Sequence, residues 1–434
     1  MDWRTLYADR ICSADEAVSH IKSGDLVVVA HACGEPVILT DAMVANADKY
    51  GYENVEVVHM VAMGKAGYCA PEMSKHFRHN GLFLGGSTRK AIEDGRGDFT
   101  PIFFHEVPEY LSSTRHVNVA LIQVSEPDSH GYCSYGISCD YTKAAAETAD
   151  IVIAQVNRRM PRVWGDNFIH ISEIDYIVEA EEQLIQLAPP KIGDVQRKIG
   201  ENVASLVRDG DCLQLGIGAI PDAVLLFLKE KKDLGIHSEM FSDGVVELIE
   251  AGVVTNARKQ VDTGKSVATF LMGTDRLYNF VDDNPSVILR PVEAVNDPRV
   301  ICQNDNVVSI NSCVEVDLMG QVCAESIGLR QISGVGGQVD FVRGANMSKG
   351  GRTIMAMPST AAKGKASRIV PILASGAAVT TSRCDVNYVV TEYGIAQLHG
   401  RTLKDRAKQL IAIAAPQFRD SLAEEYEKRF HIAM

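Results

Sequence analysis

One pattern occurs twice in this 434-residue chain and limits its fold more than any other feature: Gly-Asp, an apolar run, a glycine corner, a proline and a helix. The first copy runs from Gly24-Asp25 through Leu26-Val27-Val28-Val29-Ala30 and Gly34 to Pro36. The second runs from Gly210-Asp211 through Cys212 to Leu215, then Gly216 and Gly218, to Pro221. The offset is 186 residues at the first glycine and 185 at the proline. Each copy then reaches another short stretch, VEVVHM in the first and GIHSEM in the second. A β-branched run without polar alternation is the pattern of a strand buried on both faces, as in a parallel sheet. Proline is tolerated in the first helical turn, where its missing N–H has no intrahelical acceptor. Two such units predict two similar open α/β domains with mostly parallel sheets.

The length agrees, because a single core stops growing beyond about 250–300 residues. Leu187-Ala188-Pro189-Pro190 reads as a stiff linker, so the domains are expected at 1–188 and 189–434. In the first, Ser13 is placed to cap a helix within 8–23, and 37–47 reads as the next helix. Strands are expected at 81–84, 103–108, 117–124 and 151–156, with a helix around 144–148. In the second, 195–207 and 245–249 read as helices, and 267–272, 307–310, 354–359, 379–383 and 389–394 as strands or sheet rim. The charged amphipathic segments 403–414 and 418–429 close the chain as solvated helices.

Composition excludes several classes. With 56 acidic and 43 basic side chains the formal charge is −13, which leaves no basic surplus to neutralise a nucleic-acid backbone. Nowhere do eighteen apolar residues follow one another, and the amino terminus lacks an apolar core with a small-residue cleavage pattern, so neither membrane spanning nor secretion is expected. The ten cysteines are scattered without paired spacing, which predicts reduced, mostly buried thiols and a cytoplasmic protein.

Motif tests narrow the chemistry. HExxH and clustered cysteines are absent and the twelve histidines are dispersed, so no metal is assigned. Gly216-Ile217-Gly218-Ala219-Ile220-Pro221 lacks the third glycine of a dinucleotide fingerprint, which makes a nicotinamide oxidoreductase a poor reading. There is no GxxxxGK[ST] loop and no GxSxG elbow. What stands out is Glu239, flanked in the second domain by glycine corners at 216–218 and 334–337. Backbone N–H groups at such corners approach an oxygen closely because no Cβ intrudes, and they suit an oxyanion. On spacing alone, a surface or helix-capping carboxylate explains Glu239 equally well.

GIGAIPDAVL, HSEMFSDG, SGVGGQVDFVRGA, TTSRCDVNYVVTEYGIAQLHG and PDSHGYCSYG together resemble the acetyl-CoA hydrolase/transferase family, in its branch of 4-hydroxybutyrate and butyrate:acetate CoA-transferases. The resemblance spans essentially the whole chain. It implies an active site in the cleft between two α/β domains and a homodimer or higher homo-oligomer. By it, Glu239 is the catalytic carboxylate and Asn296 orients that glutamate or its carbonyl. Gly216, Ile217, Gly218, Ala219 and Ile220 form CoA-binding, oxyanion-stabilising backbone, Gly337 lies against the CoA arm, and Lys363 meets a CoA phosphate. Gln214, Glu35 and His31 are weaker candidates for the cleft lining. Gln155 departs from the pattern, since relatives commonly carry an acidic residue there.

The function so implied is transfer of CoA between a short-chain acyl-CoA (4-hydroxybutyryl-CoA, butyryl-CoA or acetyl-CoA) and a carboxylate such as acetate, through a glutamyl-CoA thioester. Acyl-CoA is then a substrate, and no permanently bound cofactor is expected. The same nucleophile in a wetter site is an acyl-CoA hydrolase, and a non-catalytic CoA-binding protein is the remote alternative.

Overall fold

In the computed structural model, which describes residues 2–434, the chain forms two units. One comprises the residues up to 187 together with 267–295, and the other comprises 188–266 together with 296–434.

The first unit is built on seven strands: β1 (Leu26–Val29), β2 (Val55–His59), β3 (Phe77–Gly81), β4 (Gly97–Phe99), β5 (Val119–Val124), β6 (Ile151–Asn157) and β7 (Tyr176–Ala180). Their order is β7-β6-β5-β1-β2-β3-β4, and every pairing is parallel. All four residues of β1 are buried, as a central strand with both faces covered requires. Helix α1 (Val37–Ala45) sets Leu39 and Met43 into the core that holds Val27 and Val29.

The second unit repeats the plan. Its strands are β8 (Cys212–Leu215), β9 (Gly235–Ile236), β10 (Met240–Phe241), β11 (Val307–Ser312), β12 (Arg352–Ala356), β13 (Tyr388–Thr391) and β14 (Gly394–Gln397). The order is β10-β8-β11-β12-β13-β14, with β9 also on β8. Pairings β8–β9, β8–β11, β11–β12 and β12–β13 are parallel, whereas β8–β10 and β13–β14 are antiparallel. Helices α2 (Asp194–Ala204), α3 (Ala219–Leu226), α4 (Asp243–Glu250), α5 (Gln338–Met347), α6 (Leu403–Ala412) and α7 (Pro416–Phe430) complete the unit's main elements.

The sequence repeat extends to individual hydrogen bonds. Gly24 and Gly210 both take left-handed backbone, φ 83° and 81°, where a Cβ is strained. Their N–H groups donate to the carbonyls of Glu53 and Lys232 at 2.9 Å. Asp25 accepts the Lys22 N–H at 2.8 Å, and Asp211 accepts the Arg208 N–H at 2.6 Å. Asp211 in addition pairs with the buried Arg352 of β12. Removing either partner there leaves a buried charge, at a cost of about 3–5 kcal/mol.

Several expectations need correction. The cut at residue 188 makes no provision for 267–295, which returns to the first unit: the Thr269 carbonyl accepts the N–H groups of Cys139 and Asp140, and Leu271 donates to Ile137. Periodicity reports that a segment is a strand and carries no information about its partner. The strand expected at 81–84 is instead Phe77–Gly81, whose polar residues hid it: His79 and Asn80 are buried, with His79 Nδ1 3.1 Å from the Val57 carbonyl. Residues 104–109 form helical turns, with Pro108 tolerated in the first turn. Residues 379–383 contribute only an isolated bridge, Thr381 to Val322. Among the described residues, no helix is long and apolar enough to cross a membrane. Seven of the ten cysteines are buried, and all ten are free thiols.

Neighbouring strands β2 and β3 carry two buried histidines. Burial pushes His79 down to about 4, and burial followed by the nearby His79 holds His59 well below the usual imidazole range. The folded state therefore refuses protons that the unfolded chain accepts below about pH 6.5, so stability is full above that pH and is lost as pH falls toward 4. For His79 alone the loss at pH 5 is about 2 kcal/mol. Glu35, whose carboxyl is raised by burial, acts in the opposite direction, so the comparison must be between variants. Urea unfolding at pH 7 and pH 5 should show a smaller acid loss in His79→Gln than in the wild type.

Candidate active site

The second copy of the repeat departs from the first where β2 would continue. In the first copy, VEVVH is one unbroken parallel strand. In the second, the equivalent residues split into β9, parallel to β8, and β10, antiparallel to it. The chain therefore reverses across His237, Ser238 and Glu239. The Ser238 hydroxyl sits at this reversal, buried, accepting the Leu215 N–H at 3.2 Å and lying 2.7 Å from the Met240 carbonyl.

Glu239 projects from the reversal toward Asn296, whose Nδ2 donates to Oε2 at 2.8 Å. Asn296 is fully buried, and its Oδ1 has no hydrogen-bond partner in the protein. The third member is Gly337. A Cβ there would collide with both Glu239 Oε2 and Asn296 Nδ2, although the φ of −96° is open to any residue. Space, and not backbone conformation, requires this glycine. Gly337 is also the N-cap of α5, so the carboxylate lies at the end of a ten-residue helix where unpaired N–H groups favour negative charge. A further glycine makes the approach possible: Gly344 of α5 packs directly on Ile301 of the short helix Pro298–Ile301, just after Asn296.

The 216–220 segment leaves the end of β8 as an exposed corner and enters α3. Gly218 has φ 110° and open space around its missing side chain, and it caps α3. Ile217 is exposed, and Ala219 and Ile220 form the first turn, where N–H groups have no intrahelical acceptor. Gly216 is joined through Leu215 to the Ser238 hydroxyl.

The remaining candidates sit in separate surroundings. Gln214 is buried, accepting the Ser309 hydroxyl at 2.7 Å and the Asn311 amide at 3.1 Å. Lys363 is exposed in the hairpin of Thr360–Ala361 with Ala366–Ser367, in left-handed backbone at φ 57°. Glu35 and His31 belong to the first unit. The Glu35 carboxylate accepts the Gly64 and Met63 N–H groups at 2.7 and 3.0 Å. His31 Nδ1 lies 3.2 Å from Asp140 Oδ2. Gln155 donates to Gln123 Oε1 at 3.2 Å and accepts the Ile38 N–H at 3.1 Å, two opposite demands that an amide meets and an ionised carboxylate does not.

The structure thus brings Glu239, Asn296 and Gly337 together. It sets Gly337 against the carboxylate, a closeness that the expected place beside a CoA arm did not include. Sequence reasoning passed over Ser238, although it adjoins Glu239 in the quoted motif. Among the described residues, no group of three or more His, Cys, Asp or Glu is placed to hold a metal ion. Gly337→Ala is expected to break the Asn296–Glu239 bond in a crystal structure and to lower stability by about 1–3 kcal/mol in urea unfolding, as overpacking does.

Comparison with known proteins matches residues 1–189 to the acetyl-CoA hydrolase/transferase N-terminal domain and 273–426 to the C-terminal domain. Glu239 lies between these segments but within the reach of full-length relatives. The chain is 63% identical over 431 residues to the 4-hydroxybutyrate coenzyme A transferase of Clostridium kluyveri, covering 99% of this chain and 100% of that one. Among solved structures, RipA from Yersinia pestis superposes with a TM-score of 0.94 at 40% identity, covering 99% of this chain and all of that one. A 4-hydroxybutyrate CoA-transferase from Porphyromonas gingivalis gives 0.85 at 47% identity with the same coverage. With the fold, the motifs and nearly every residue aligned, the chain belongs to the acetyl-CoA hydrolase/transferase family.

Proposed function

We propose that this CoA-transferase moves coenzyme A between a short-chain acyl thioester and a free carboxylate, with Glu239 as the covalent carrier and 4-hydroxybutyryl-CoA and acetate or butyrate among its substrates. The observation that carries the assignment of Glu239 is its setting: a carboxylate held at 2.8 Å by a buried amide, against a glycine that no side chain can replace without collision. The 63% identical relative supports 4-hydroxybutyrate as an acyl group.

In the first half-reaction a carboxylate oxygen of Glu239 attacks the acyl-CoA carbonyl, the C–S bond breaks, and CoA leaves as thiolate. The product is an acyl-glutamyl anhydride. The thiolate then attacks the glutamyl carbonyl and expels the original acid as its carboxylate, leaving a glutamyl-CoA thioester. An incoming carboxylate reverses the sequence and departs as the new acyl-CoA. No proton has to be moved in the exchange, because the nucleophile attacks as a carboxylate and each leaving group departs as an anion. Asn296 holds one oxygen and thereby aims the other. The N–H groups at Gly216–Ile220 supply donors for the oxyanion formed at each addition. Lys363, exposed on its hairpin, is assigned to a CoA phosphate. His31, Glu35 and Gln214 are assigned, more weakly, to the lining of the substrate cleft, His31 being held through Nδ1 by Asp140 while its buried Nε2 has no partner in the protein.

Exchange requires that water be kept from the anhydride, and binding energy from the remote part of CoA is available to close the site. One methylene in an apolar pocket discriminates by only about 1–3 kcal/mol, so acetate, propionate, butyrate and 4-hydroxybutyrate should overlap as substrates. We assign the working form to a cytoplasmic homodimer or higher homo-oligomer, a place that suits ten free thiols.

Purified protein given butyryl-CoA and acetate should form acetyl-CoA without net release of free thiol. Thiol release that does not depend on an acceptor acid would replace transfer by hydrolysis. Glu239→Ala should lose roughly a thousandfold or more in exchange rate. Asn296→Ala should lose roughly tenfold to a hundredfold, mainly in kcat, as a misaimed nucleophile does.

A further inference from the structure

We infer that Ser238 is a positioning residue for the transfer reaction, its single hydroxyl setting the distance between the Glu239 backbone and the corner that begins at Gly216. The inference rests on the reading of Glu239 as the acyl acceptor. Ser238 Oγ accepts the Leu215 N–H at 3.2 Å and lies within donor range of two carbonyls, Met240 at 2.7 Å and Leu215 at 3.1 Å. Leu215 is the residue immediately before the corner, and Met240 is the residue immediately after the glutamate. One buried atom therefore ties both sides of the proposed reaction centre.

The sequence repeat shows what the hydroxyl replaces. The Glu56 N–H donates to the Asp25 carbonyl as the Gly235 N–H does to that of Asp211, so the residue equivalent to Ser238 in the first copy is His59, which ends the unbroken strand β2 and pairs in register with Gly81. A serine side chain competes with the backbone ladder by bonding to nearby N–H and C=O groups. Here it does so at the point where β9 ends and the chain turns back as β10, paired through Leu215 and Met240. The turn carries the next residue, Glu239, out of the ladder, and the hydroxyl holds the turn shut. Ser238 is itself 1% exposed, so it acts through the glutamate backbone and does not touch substrate.

Loss of the hydroxyl should leave substrate binding in place and misplace the nucleophile, and a displacement of about 1 Å costs up to about a hundredfold in rate. In the butyryl-CoA and acetate assay, Ser238→Ala should lower kcat roughly tenfold to a hundredfold, with the KM for butyryl-CoA changed less than about twofold. Ser238→Thr, which restores the hydroxyl, should recover most of kcat. The rate at which borohydride traps the glutamyl-CoA adduct after butyryl-CoA is added should fall in parallel with kcat in Ser238→Ala. Wild-type kcat in that variant overturns the inference, and so does a loss shared equally by kcat, KM and melting temperature. Glu239→Ala is measured alongside: retained exchange there defeats the reading of the glutamate itself, whatever the serine variants do.

Discussion

In an open parallel sheet the side chains beside a strand end are placed by how the strand leaves its ladder. In the second unit the break occurs at Ser238 and Glu239, between a two-residue parallel strand and a two-residue antiparallel one. Everything else at the site answers to that break. Asn296 arrives just before the short helix Pro298–Ile301 and Gly337 at the start of α5, and the Gly344–Ile301 contact lets those two helices pack closely beside the carboxylate.

The two units show the same corner under two requirements. In the first, glycine, aspartate and strand lead into an uninterrupted β2, and the buried His59 and His79 stand on the neighbouring strands β2 and β3. In the second, the same glycine and aspartate lead into a strand that stops early, and Glu239 stands where the first copy has Met60, one residue past the end of β2. The Asp211–Arg352 pair adds to the second corner a buried link to β12 that the first copy lacks. The unit that carries the glutamate is also the one with the extra ionic tie.

Much of the architecture was legible in the residues. β-branched runs at 26–29, 119–124 and 151–157 marked buried strands because burial on both faces leaves no room for polar alternation. Strand β3 escaped because His79 and Asn80 are polar yet buried, a pattern that periodicity reads as a loop. The return of 267–295 escaped for a different reason, since hydrogen-bond partners more than a hundred residues apart leave no local trace. At the site, Glu239 and Asn296 were visible through family motifs, and their contact required coordinates. Gly337 was singled out as glycine, but its reason was a volume claimed by two side chains from elsewhere in the chain. Ser238 was hidden by its ordinariness.

The split first unit has a consequence for the order in which the protein can be made. Its two parts are separated by 79 residues that belong to the second unit. As the chain leaves the ribosome, the corner at Gly24 can close at once, because its aspartate bonds a backbone group only three residues away. The amide groups of Cys139 and Asp140, by contrast, wait for the Thr269 carbonyl. The first unit therefore cannot finish before the opening strands of the second, Glu239 included, have been synthesised, and a nascent chain stopped at residue 188 lacks part of the first unit's own structure.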